Sequence, residues 1–231
     1  MRFRLRALTV VVYAAAMAYV ESAAVLYLQR AQSISPDHLF PLQPPQALGN
    51  LAGIEVGREA ATLFMLATVG VLAGRRWLDR LAWCAVAFGV WDIAYYFWLW
   101  VFMGWPHSPA TWDVLFLIPV PWAGPVAAPI TVSLALIGFG LAAARQVGQG
   151  RALRVSLPGA TMALAGGLLV IVSFTIDVPD GLRDVSPPWH PWPIFLAGMA
   201  LAGWAGTMTL RAGTARTAGR AVPAGAAEEV P

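Results

Sequence analysis

Six long apolar stretches leave this chain few ways to fold: roughly Leu8–Leu28, Leu51–Ala73, Leu81–Met103, Val126–Ala144, Leu157–Ile176 and Ile194–Leu210. About 20 helical residues cross the hydrocarbon core of a bilayer, so each stretch predicts one spanning α-helix. No water reaches backbone N–H and C=O groups at that depth, and a helix satisfies them within the segment. A soluble alternative fails on composition: with 58% hydrophobic and 12% charged residues, the chain has too little charge to cover a water-facing surface. The expectation is an all-α integral membrane protein with one six-span domain over residues 1–210. Residues 211–231, built of Ala, Gly, Thr and Arg with a terminal Glu228-Glu229 pair, lack apolar periodicity and are expected to form a disordered cytoplasmic tail. Arg2, Arg4 and Arg6 ahead of an apolar run resemble a secretory signal, but the run continues through Tyr27-Leu28 and reads as an uncleaved first span.

The basic residues set the orientation. All 15 are Arg, and Arg2, Arg4, Arg6, Arg75, Arg76, Arg80, Arg145, Arg151, Arg154, Arg211, Arg216 and Arg220 alternate onto one side of the six spans. The positive-inside rule makes that side cytoplasmic, with both termini inside, as in a bacterial inner membrane protein. The opposite side carries Asp37, Asp113, Asp177, Asp180 and Asp184 together with His38, His107 and His190, in loops rich in Pro and Trp. Most of those Trp and Pro residues read as interfacial anchors and stiff turns.

The region from Val114 to Ala144 is too long for one straight crossing, and Pro119, Pro121, Pro125 and Pro129 fall in its first half. Each interior Pro removes a helical hydrogen bond and clashes with the preceding turn. Val114–Pro125 is therefore expected to be an outer-leaflet or re-entrant segment that walls a site; a long, kinked, tilted helix is the alternative.

Five ionisable residues fall inside spans: Glu21, Glu55, Arg58, Glu59 and Asp92. Such groups cost several kcal/mol and are functional candidates by default. All lie in the outer half or near the midplane, which predicts one cavity open to the outside. Glu55, Glu59 and Thr62 share a helix face, and Arg58 follows Glu55 at pairing distance. Asp92, Tyr95 and Tyr96 likewise offer a carboxylate with two phenol partners. Three readings compete: a self-satisfied polar network that fixes helix packing, a cation or proton site, and a transition-metal centre. For the metal centre the ligands would be Glu55, Glu59, Asp92 and His107, or His190 in its place, with Glu21, Arg58, Tyr95, Tyr96 and Asp113 around them. Neither HExxH nor ExxH occurs, and no His lies within a span.

Other chemistries are unsupported. No phosphate-binding Gly loop, CxxC or nucleophile elbow is present. Cys84 stands alone in an apolar run, so it forms no intrachain disulfide and reads as a small buried hydrophobe. The scattered arginines are accounted for by topology and give no reason to expect nucleic acid.

In WDIAYYFWLW, GWP and TWDVLFLIPVPWAGPVAAP, preceded by IEVGREAATLFMLATVG, the chain resembles a group of bacterial polytopic membrane proteins to which no activity is attached. The resemblance spans about Ile54 to Ser133 and leaves the first and last spans unmatched. It implies that Glu55, Arg58, Glu59, Asp92 and Asp113 belong to one block, and it transfers no catalytic role. The leading expectation is an outward-facing intramembrane carboxylate site for a cation, metal or proton, in a transport-like or cofactor-holding role. A non-catalytic subunit or assembly factor of a larger membrane complex is the second reading, with a membrane-protein partner or homo-oligomer. A metalloenzyme acting on a lipid or quinone is the third.

Overall fold

In a computed structural model the described residues are 3–32, 50–176 and 189–218. They form six helices and one hairpin in the order α1 (Phe3–Gln32), α2 (Asn50–Ala73), α3 (Trp77–Met103), β1 (Trp112–Phe116), β2 (Trp122–Pro125), α4 (Ala127–Gly148), α5 (Leu157–Thr175) and α6 (Trp192–Ala218). All six helices are long and apolar enough to cross a bilayer. The chain is a multi-pass, all-α membrane protein.

Its outer surface bears this out. Phe64 and Leu72 on α2, Leu164 on α5 and Trp204 on α6 are largely exposed on the isolated chain. In water, patches of this kind mark interaction surfaces or aggregation sites; on six helices long and apolar enough to span a bilayer they suit a lipid-facing surface. The inward faces carry small residues and Trp instead. Val10, Ala14 and Ala18 recur at helical spacing on α1 and pack with Leu66 on α2 and with Trp83, Val86, Ala87 and Trp91 on α3. The Phe3 and Trp83 rings lie near one end of that bundle, while Tyr19 packs edge-on against Trp98 and Phe102 further along, so α1 and α3 run parallel.

Between α3 and α4 the chain leaves the helical pattern. Gly104 ends α3 in the left-handed conformation (φ 71°), and its N–H donates to the Trp100 carbonyl at 2.8 Å, a glycine helix stop. The stretch Trp-Asp-Val-Leu-Phe then suits an extended, half-buried strand. It pairs antiparallel with β2 in the register Trp112↔Pro125, Asp113↔Gly124, Val114↔Ala123 and Phe116↔Trp122, with an irregularity between Val114 and Phe116. Pro119 and Pro121 sit in the connection, and Pro125 closes β2. Pro129 falls in the first turn of α4, where its missing N–H costs no helical bond. Pro119, Pro121 and Pro125 thus interrupt the helix as the sequence predicts, whereas Pro129 is accommodated within α4, and the segment before α4 is a β-hairpin. The expectation for the C-terminus changes more: α6 runs on to Ala218, so residues 211–218 of the expected tail are helical, and its remainder lies outside the described residues.

The two last helices form a pair of their own. Ser156 caps α5, accepting from the Gly159 N–H at 3.2 Å. Along the α5–α6 seam, a side chain at Gly198 would meet the Gly166 carbonyl oxygen at 2.7 Å and the Val170 backbone nitrogen at 2.9 Å. Small residues at such crossings let membrane helices approach closely. Gly198→Val is expected to force these helices apart and cost roughly 1–3 kcal/mol, read as a lower midpoint of thermal unfolding in detergent; an unchanged midpoint would show that the seam does not hold the fold.

Candidate functional site

The hairpin lies over the polar residues of three helices. A cavity of about 60 Å³ is walled by Glu21, Arg58, Glu59, Thr62, Trp91, Asp92, Tyr95, Tyr96 and Asp113, with Val114, Leu115 and Phe116 of β1 closing it. Glu21 comes from α1, Arg58 and Glu59 from α2, Asp92 and the tyrosines from α3, and Asp113 from the hairpin. Space of this size admits a few waters or a small ion, since one water needs about 10–15 Å³. It is far below the several hundred Å³ of an organic substrate site.

Each carboxylate is held by its own donor. The Thr62 hydroxyl donates to Glu21 at 2.8 Å, and Arg58 pairs with the same carboxylate. Arg58 also reaches Glu55, with Nε at 2.8 Å and a terminal nitrogen at 2.7 Å, so one guanidinium bridges acids from α1 and α2. Glu59 accepts from the Leu117 backbone N–H, at 2.9 and 3.1 Å to its two oxygens. Asp92 accepts from the Ser133 hydroxyl on α4 at 2.8 Å. Asp113 accepts from the Tyr96 hydroxyl at 3.0 Å and from the Val114 N–H at 2.8 Å. Glu21, Glu59, Asp92 and Asp113 are all buried, as are Thr62 and Ser133.

Seven residues singled out from the sequence, Glu21, Arg58, Glu59, Asp92, Tyr95, Tyr96 and Asp113, therefore meet at one cavity. Glu55 stands one step outside it, joined through Arg58. His107 does not join them: it is exposed in the segment between α3 and β1 and is not part of the cavity wall. Among the described residues no three His, Cys, Asp or Glu side chains come together as a metal-binding group. The ligand set Glu55, Glu59, Asp92 and His107 is thus not assembled. His38, Asp177, Asp180 and Asp184 lie outside the described residues.

Two partners of the site carry little signal in the sequence. Ser133 lies 41 residues from Asp92 in an apolar run, and the donor to Glu59 is a backbone N–H. Away from the cavity, the buried histidine among the described residues is His190, packed among Trp112, Phe174, Trp192 and Phe195 at centroid distances of 4.9–6.0 Å. Burial pushes its imidazole down to about 4, so it is neutral at physiological pH.

Burial acts in the opposite sense on Asp113, the site's acid outside the helices. Loss of solvent raises its carboxyl to about 7, against the pull of the Tyr96 and Val114 hydrogen bonds. An unfolded Asp releases its proton near pH ~3.9. Between those values the folded chain holds a proton that the unfolded chain has lost, and the resulting stabilisation is complete below pH about 4 and disappears as pH rises through about 7. Asp113→Asn is expected to remove that slope from the unfolding midpoint measured between pH 5 and 8; an unaltered slope would assign the pH dependence to other groups.

No protein-family model, curated protein or solved structure matches this chain. The site's own geometry is the ground for a functional reading.

Proposed function

We propose that this protein binds and releases a small cation, in the first place the proton, at the intramembrane carboxylate cavity, in a transport-like role. The observation that carries this reading is a mismatch of charge: four carboxylates face a cavity of about 60 Å³ together with one guanidinium. If all were ionised, four negative charges would meet one positive charge, which Arg58 already shares with Glu55. Uncompensated carboxylates are expensive in a low-dielectric interior. The deficit is met most simply by protons. Separate donors for each acid also favour protons over a transition metal, which draws several ligands onto one point. Asp113, with its carboxyl raised to about 7, is poised to exchange a proton at physiological pH.

The positive-inside rule supports an orientation with both termini and the arginine-bearing ends of the helices in the cytoplasm of a bacterial inner membrane. The hairpin then faces outward and covers the site from that side. The test is proton movement in liposomes carrying the purified protein and a trapped pH-sensitive dye. An imposed potential is expected to drive acidification above that of protein-free vesicles. Equal rates in both would sink transport, and about one equivalent of transition metal in the purified protein by elemental mass spectrometry would move the reading to a metal centre.

A further inference from the structure

The hairpin that closes the carboxylate cavity is held differently at its base and at its tip. Its base is tied into the bundle through the backbone. The Val126 N–H donates to the Thr111 carbonyl at 2.9 Å and the Ala127 N–H to the Pro109 carbonyl at 2.8 Å, which joins the chain before β1 to the start of α4. β2 lies against α4 and α5, so closely that a side chain at Gly124 would meet the Phe174 ring at 2.9 Å. None of these contacts involves a charge.

The tip is another matter. Residues 117–121 connect β1 to β2, and the Leu117 N–H donates to both oxygens of Glu59 on α2, at 2.9 and 3.1 Å. Among the described residues no other side chain hydrogen-bonds this connection. Val120, near its end, is half exposed. Between base and tip the ladder is irregular from Val114 to Phe116, where β1 crosses the cavity. Such an irregularity interrupts the ladder and lets a strand bend. A fixed base, a bend and a tip held through one carboxylate are the parts of a hinged cover.

The other charged groups of the cavity wall are engaged away from the tip. Arg58 pairs with Glu21 and Glu55, Asp92 accepts from Ser133, and Tyr96 donates to Asp113 near the base of the hairpin, while Tyr95 lines the wall on α3. The hold on the tip therefore follows the charge of Glu59. A hydrogen bond to an ionised acceptor is roughly twice as strong as one to a neutral acceptor.

We infer that the hairpin tip is a gate over the cavity, latched by ionised Glu59 and released when Glu59 takes up a proton. This rests on the proposed cation site and adds its regulation: the empty, charged cavity is closed by its own acid, and loading that acid opens it on the hairpin side.

The test is hydrogen exchange, followed by mass spectrometry on the full-length protein in detergent at one fixed pH. Glu59→Gln keeps the shape of the latch and removes its charge. It is expected to speed exchange at the tip about tenfold, the difference between a charged and a neutral acceptor, with α3 and α4 exchanging as in the wild type. Asp92→Asn removes a charge from the same cavity, but its partner is Ser133, and the tip is expected to exchange at the wild-type rate. A wild-type tip in Glu59→Gln, an equal loosening by Asp92→Asn, or a loss of protection along the helices would each overturn the gate. No gradient enters this measurement, so the two readings fail separately. Proton flux in the wild type with an unaltered tip in Glu59→Gln sinks the gate alone, and a loosened tip without flux sinks transport alone.

Discussion

Arg58→Met is expected to destabilise the protein by roughly 3 kcal/mol or more, the cost of stranding a buried charge when its partner is removed. The guanidinium is the one positive charge in the cavity wall and touches acids on two helices, Glu21 on α1 and Glu55 on α2. Without it, the buried Glu21 keeps the Thr62 hydroxyl as its hydrogen-bond donor. The methionine fills similar volume, so the loss is electrostatic rather than a cavity effect. Glu21→Gln in the Arg58→Met background is expected to restore most of the stability, because a neutral amide still accepts from Thr62. The measurement is a double-mutant cycle on unfolding in detergent. If Arg58→Met unfolds like the wild type, the ion pair does not hold α1 against α2, and Arg58 is free to be part of the exchange chemistry instead.

The polar cluster was legible because charge within an apolar run is costly enough to stand out. Glu55, Arg58 and Glu59 announce themselves on α2, and the i, i+3 spacing predicts the Arg58–Glu55 pair at 2.7 Å. Asp92 and Tyr96 share a face as expected, yet their partners do not come from each other. Tyr96 donates to Asp113 on the hairpin, and Asp92 is served by Ser133 on α4. Contacts between distant segments leave no periodicity behind. A serine in an apolar helix most often bonds its own backbone, as Ser22 does to the Ala18 carbonyl at 2.8 Å, so Ser133 carries no mark of a different duty.

The hairpin shows a different limit. Pro119, Pro121 and Pro125 correctly exclude a continuous helix before Ala127. What they release was harder to read, because a two-stranded ribbon is weak alone and draws its stability from what it packs against. Here β2 lies so close to α5 that a side chain at Gly124 would meet the Phe174 ring at 2.9 Å. His107 and His190 make the same point. Both sit in Trp- and Pro-rich turns of the sequence, but only His190 is drawn into a cage of rings, because the hairpin, the end of α5 and the start of α6 converge there.

Asp92→Asn and Glu59→Gln are each expected to lower proton flux in liposomes at least tenfold while leaving the unfolding midpoint close to that of the wild type. The two outcomes separate because of how the acids are held. The amide that replaces Asp92 keeps an oxygen for the Ser133 hydroxyl, and the amide that replaces Glu59 keeps one for the Leu117 N–H, so the hydrogen bonds that fix α3 to α4 and α2 to the hairpin survive. What disappears is the exchangeable proton, and with it one negative charge from a wall that already has too many. The contrast with Arg58→Met is therefore diagnostic: loss of the cation damages the fold, and loss of an acid damages exchange. Wild-type flux in both acid variants would remove the proton site and leave the cluster as a packing network. Unfolding of both variants would lead to the same conclusion, because the carboxylates would then be holding the helices together.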